Sequence, residues 1–292
     1  MFISRGRKLL IHNLKKKISL KVPILIKIYR FFFKRKIITF SGWGMTIFDR
    51  NPPWIKNYFN NIDANSFIKL DKKIIQLVSK KKFILSQYSK LDNNYNPIKA
   101  LKEFRWRHYI LCWTINYLCK FTEVKKNLNL VELGVHDGMS AFFAASQLSE
   151  NKKFFKLFLY DSWGPMLAKN LTNKELKSVG SYHYLNFNNV VNNLKSFKKN
   201  IIFNKGYLPD SLGTAKNPKT IQWLHIDLNS TRPTIDSLKF FFSRISKNGI
   251  ILFDDYGFNE HLETKIAVDK FLINKKGSLF HLPTGQSIFF KK

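Results

Sequence analysis

From residue 128 onward, short apolar runs alternate with helical patterns, and most of the runs end in an acidic residue. The run from Leu128 to Val135 carries Glu132 near its end, and Lys156 to Tyr160 closes on Asp161. Ile221 to Ile226 closes on Asp227, and Gly249 to Phe253 closes on Asp254 and Asp255. A further short run lies near Ile201 to Phe203, after a long polar and helical stretch over 165–199. Helical patterns at Ser140 to Leu148, Thr234 to Ile245 and about 260–273 separate the strands. Ser278 to Leu282 and Gln286 to Phe290 read as a closing hairpin across Pro283-Thr284-Gly285. This alternation predicts an α/β fold, a parallel sheet with helices on both faces. Ligands of open α/β sheets sit beyond the carboxyl ends of the strands. The acids are therefore expected to meet at one edge.

Upstream the chain changes character twice. Residues 1–40 hold twelve Lys and Arg before the first acid, Asp49, with apolar residues interleaved. They read as a broken amphipathic helix, interrupted at Pro23, suited to an anionic membrane surface or to packing on the rest of the chain or a dimer partner. Residues 41–127 begin with loop-like Gly and Pro stretches, then show helical patterns around 64–80 and 97–121. The aromatic stripe of the second pattern, with Trp106, Tyr109, Trp113 and Tyr117, has the spacing of a core face. Residues 128–292 make the third region, the expected catalytic domain.

A net charge of +31 fits a partner such as nucleic acid, an acidic glycan, a nucleotide-linked sugar or an anionic membrane. A composition rich in Lys and Asn gives the same charge with no partner at all. No apolar run approaches the roughly 20 residues that span a bilayer, and no signal-peptide core is present. Cys112 and Cys119, seven residues apart on a helical pattern, are too far apart to bridge. A reduced, cytoplasmic setting is expected.

The chemistry concentrates in Val131-Glu-Leu-Gly-Val-His-Asp-Gly-Met-Ser140, a strand running through a glycine loop into a helix. Glycine permits close approach to a ligand, and a helix N-terminus offers free N–H groups. An acid at the end of the second strand, Asp161, can accept hydrogen bonds from ribose hydroxyls. Together these features indicate an adenosine-type cofactor and leave NAD and S-adenosylmethionine (SAM) both open. Tyr160-Asp-Ser-Trp-Gly164, Gly206-Tyr-Leu-Pro-Asp-Ser-Leu212, Trp223-Leu-His-Ile-Asp227 and Gly249-Ile-Ile-Leu-Phe-Asp-Asp-Tyr256 separate the two. With the glycine loop they resemble the macrocin and mycinamicin O-methyltransferase family over about residues 128–290. Gly42-Trp-Gly-Met45 is a weaker echo.

The resemblance implies a Rossmann-like class I methyltransferase sheet of about seven strands, its last hairpin antiparallel. It implies SAM at the first strand ends, Mg²⁺ at the acids after the fourth and fifth, and a sugar or glycan hydroxyl as acceptor. By position, Glu132, Gly134, Gly138 and Ser140 would line the methionine half of SAM, Asp161 the ribose, and Gly206 and Tyr207 the adenine. Asp227, Asp254 and Asp255 would ligate the metal. His261, just after the fifth-strand loop, is the candidate general base and Asp227 its rival. His136 could touch cofactor or substrate, and His225, mid-strand, reads as a core histidine. The family pattern Asp-x-Asp-x-Tyr is here Asp227-Leu-Asn229-Ser-Thr231, with one charge and the tyrosine missing. RNA methylation would suit the net charge, but no RNA-binding module is recognisable. A non-catalytic membrane-surface protein that kept the fold is the remaining alternative.

Overall fold

The computed structural model describes residues 62–86, 97–121 and 127–292. The basic segment 1–40 and the Gly42–Met45 and Asn51–Trp54 motifs lie outside the described residues. The described chain begins with three helices, α1 (Ile62–Ser79), α2 (Pro97–Glu103) and α3 (Arg105–Phe121). Then follow β1 (Leu128–Leu133), α4 (Met139–Glu150), β2 (Phe155–Asp161), α5 (Phe187–Asn193), β3 (Ile201–Lys205) and β4 (Ile221–Ile226). The chain closes with α6 (Thr231–Phe242), β5 (Ile245–Phe253), α7 (Leu262–Leu272), β6 (Gly277–His281) and β7 (Ser287–Lys291).

The strands form one sheet in the order β3-β2-β1-β4-β5-β7-β6, with β1 to β5 parallel and β7 antiparallel to both neighbours. This is the fold class that the sequence predicts. Alternate side chains of each buried strand feed two separate cores, as the period-2 pleat requires. Leu130, Leu157, Leu159, Trp223, Ile250 and Leu252 face α1, α3 and α4, while Val131, Phe158, Leu224, Ile251 and Phe253 face α6 and α7. Each fully buried aliphatic or aromatic side chain stabilises the fold by about 1.5–3 kcal/mol relative to exposure.

Of the aromatic stripe of α3, Tyr109 is buried in the first core with Ile110, Leu111, Ile115 and Leu118, and Trp113 and Tyr117 pack half-buried against it. Trp223 of β4 crosses to this helix and donates its indole N–H to Thr114 Oγ1 at 2.9 Å, which satisfies a fully buried donor. The long helical pattern over 97–121 breaks at Phe104 into α2 and α3.

Two boundaries differ from the sequence reading. The helix expected from Thr234 starts at Thr231, with Pro233 inside its first turn. Proline costs little there, because the first N–H groups of a helix lack intrahelical partners anyway. That helix ends at Phe242, and Ile245 instead opens β5, where it pairs with Ile221 before a register shift.

Strand order reverses between β1 and β4, and the two strand ends run against each other. Asp227 N donates to Leu133 O at 2.8 Å. A Cβ on Gly134 would stand 1.9 Å from Asp227 O, and its φ of +84° is one that glycine adopts freely.

Candidate active site

A cleft of about 690 Å³ opens at this crossing, beyond the carboxyl ends of the parallel strands. Gly134, His136, Ser140, Asp161, Gly206, Tyr207, Asp227 and Asp255 line it. Gly138, in the left-handed region at φ +83°, precedes α4, so the loop turns sharply and aims the first turn of that helix at the cleft. His136, Tyr182 and Asn229 on the cleft wall also have positive φ, which costs a non-glycine residue energy.

Two carboxylates hold the glycine loop in shape. Asp161 Oδ2 accepts from Val135 N at 2.7 Å and His136 N at 2.9 Å, and its Oδ1 accepts from Trp163 N at 2.7 Å. Three of about four acceptor sites of the carboxylate are thus filled by its own chain, leaving one for another donor. Asp137 is buried and accepts from the backbone N and Oγ of Ser86, at 2.8 and 2.5 Å. Asn193 completes the clasp, donating to Asp137 O and Ile84 O. Sequence reasoning missed Asp137 and Ser86, since nothing local ties residues 51 positions apart.

The acids after β4 and β5 do meet. Oxygens of Asp227, Asp254 and Asp255 lie within 4.8 Å of one another. Hard oxygen donors in this number suit Mg²⁺, and Asp255 Oδ2 is buried with no hydrogen-bond partner among the described residues. A cation there would satisfy it, so the donor set fits. The cluster also holds a residue of the aromatic helix that the sequence reading did not single out. Arg107 Nη2 donates to Asp227 Oδ2 and lies 2.9 Å from Asp254 Oδ2. The signal available in the sequence was a charge in the first turn of an otherwise buried helix.

Asp254 Oδ1 accepts from Gln286 Nε2 at 2.8 Å. His225 lies behind, 3.4 Å from Glu132 and 3.7 Å from Asp254. Burial opposes charge on this imidazole, but the two carboxylates outweigh it and lift its pKa to about 10. His225 is a core histidine, as expected. Burial, and then the neighbouring acids, raise Asp227 and Asp255 above the usual carboxylate range. Asp254 is also buried, yet Arg107, His225 and Gln286 together hold it low.

Three expected site residues are placed elsewhere. Glu132 is fully buried with its carboxylate toward His225 and is not on the cleft wall, because the pleat turns it into the sheet. His261 lines a small separate hollow behind Asn229 and Asp255, since the turn before α7 carries it past the end of β5. Gly138 shapes the loop without forming the wall. Asn229, at φ +52°, donates to Asp227 Oδ1 at a long 3.4 Å. Thr231, where the family pattern has tyrosine, turns away and bonds Glu175 through both its N and its Oγ1.

Residues 131–256, which carry the glycine loop, Asp161 and the acid cluster, match the family model described as a methyltransferase domain. The chain is a SAM-dependent methyltransferase. Solved structures agree on its fold. The O-methyltransferase NovP aligns with a TM-score of 0.60 at 16% identity, over 77% of this chain and 99% of its own. CalS11, the calicheamicin methyltransferase, aligns at 0.50 and 14% identity, over 79% and 93%. No curated protein matches the methyltransferase by sequence. Among its described residues, no helix is long and apolar enough to cross a membrane.

Proposed function

We propose that this methyltransferase moves the methyl group of SAM to a hydroxyl of a sugar or glycan-type acceptor, with Mg²⁺ assisting. One observation carries the reading. Asp227 and Asp255 open into the same cleft as the glycine loop, so a hydroxyl beside the acids faces a methyl donor held by that loop. The motif resemblance to macrocin and mycinamicin O-methyltransferases supports the sugar class, and NovP is itself described as an O-methyltransferase.

The hydroxyl oxygen would attack the methyl carbon while the carbon–sulfur bond breaks, its electron pair staying on sulfur as S-adenosylhomocysteine forms. Asp227, which lines the cleft, would receive the hydroxyl proton. A divalent cation held by Asp227, Asp254 and Asp255 would lower the pKa of a bound hydroxyl and orient it. Gly206 and Tyr207 line the cleft near the end of β3, where the adenine would lie, and the Tyr207 hydroxyl donates to Pro165 O at 3.0 Å. The basic residues 1–40 are proposed as a peripheral contact with anionic membrane, to be tested by vesicle co-sedimentation with and without them.

The central test is calorimetric titration of S-adenosylhomocysteine into the full chain, first in EDTA and then in Mg²⁺, with NAD as control. Micromolar binding of S-adenosylhomocysteine and none of NAD is expected. Absence of binding in both buffers would sink the reading.

A further inference from the structure

We propose that Arg107 is the resident counter-cation of the acid cluster, and that a divalent cation binds there only by displacing it. The inference rests on reading the three aspartates as a metal site. It concerns what already fills the place where their oxygens converge.

The way Arg107 sits is unusual for a permanent bridge. Arginine normally engages carboxylates through two parallel N–H groups of its fork. Here one nitrogen, Nη2, is wedged between Asp227 and Asp254, while Nε is buried with no hydrogen-bond partner among the described residues. The guanidinium therefore acts on two acids as a point charge, in the manner of a metal ion, and leaves one of its own donors unsatisfied. On the other side of the contact, Asp255 Oδ2 is equally buried, with no hydrogen-bond partner among the described residues. Groups stranded on both sides of an ion pair are costly in a low-dielectric site, and they mark an arrangement built for another occupant.

Exchange would relieve both. A divalent cation has the charge and the coordination number to engage Asp255 together with Asp227 and Asp254. It could not share those oxygens with Arg107, whose Nη2 stands on Asp227 Oδ2 and Asp254 Oδ2. Asp254 Oδ1 is already taken by Gln286, so the oxygen under Arg107 is the one that Asp254 has to offer. Arg107 has somewhere to go. Its side chain is 25% exposed and lines the cleft, and it stands in the first turn of α3, just after the break at Phe104. In this chain metal loading and the position of a cationic side chain in the cleft are one equilibrium.

The test uses Mn²⁺ as probe, with free Mn²⁺ read by electron paramagnetic resonance, on the full chain and on Arg107→Met. The variant is expected to bind Mn²⁺ at least tenfold more tightly than wild type. It should also melt at lower temperature than wild type in EDTA, with the loss restored by Mn²⁺. Equal or weaker Mn²⁺ binding by the variant would overturn the proposal, as would no binding by either protein. The last result would leave binding of S-adenosylhomocysteine untouched, so it is distinguishable from failure of the methyltransferase reading. Should the variant not fold, the wild-type protein answers alone. Modification of Arg107 by phenylglyoxal, followed by mass spectrometry, should speed up on saturation with Mn²⁺. A slower or unchanged rate would refute displacement.

Discussion

Replacing Asp161 tests whether its carboxylate serves the cofactor, the protein, or both. Asp161→Ala removes the acceptor for Val135 N, His136 N and Trp163 N at once. Hydrogen bonds to a charged partner contribute about 1.5–3 kcal/mol each. The site is half-exposed, which favours the low end, so a total loss of about 4 kcal/mol is expected. Asp161→Asn should cost less, about 2 kcal/mol. Its one carbonyl oxygen can keep Val135 and His136, which share Oδ2, while its amide turns a donor toward Trp163 N. For a chain of this size the alanine loss corresponds to a fall in Tm on the order of 10 °C. Urea unfolding followed by circular dichroism would rank wild type, Asn and Ala. Calorimetry with S-adenosylhomocysteine, well below each transition, would read the ligand side. We expect stability and affinity to fall together, because two of the three amides that Asp161 gathers belong to the glycine loop proposed to hold the cofactor. An alanine variant within about 1 kcal/mol of wild type that nevertheless loses the ligand would refute this reasoning. It would make Asp161 a ribose ligand on a loop that holds itself.

Three further outcomes are expected. Gly134→Ala places a Cβ 1.9 Å from Asp227 O at a φ of +84°, so it should cost more than 4 kcal/mol or yield no soluble protein, checked by expression and thermal unfolding. Thr114→Val leaves the buried Trp223 N–H without its acceptor and should cost about 1–3 kcal/mol in urea, while Thr114→Ser should stay within about 1 kcal/mol of wild type. His108 is stacked on Phe143, and burial and then Arg107 hold its pKa down to about 3, from 6.5 when unfolded. The unfolded chain therefore takes up a proton that the folded one refuses. Stability should fall by up to about 1.4 kcal/mol per pH unit as pH drops below 6.5. Comparison of urea midpoints with His108→Asn from pH 7 to 4.5 isolates this slope, and parallel curves would exclude it.

The fold was legible because its evidence is local. Each parallel strand announces itself as an apolar run, and the acids that close β2, β4 and β5 mark the functional edge without any knowledge of pairing. What escaped is tertiary. Arg107 looks like part of a core helix until the fold brings α3 beside β4 and β5. The clasp of Ser86, Asp137 and Asn193 joins residues from three separate elements. His261 failed as a cleft residue for a geometric reason, since its nearness to Asp255 in sequence does not fix which side of the strand end it occupies. Glu132 failed through parity: the pleat points it at His225 rather than at the loop.

The contact between Gly134 and Asp227 bears on how this enzyme could be re-engineered. A first βα loop whose neighbours did not touch its backbone could be exchanged as a cassette. Here that loop leans backbone to backbone on the residue that begins the acid cluster, with no room for even one methyl group. A graft that changed the path of the chain at position 134 would carry Asp227 with it. The glycine loop and the acid cluster are thus mechanically one module, and a change selected in either will drag the other.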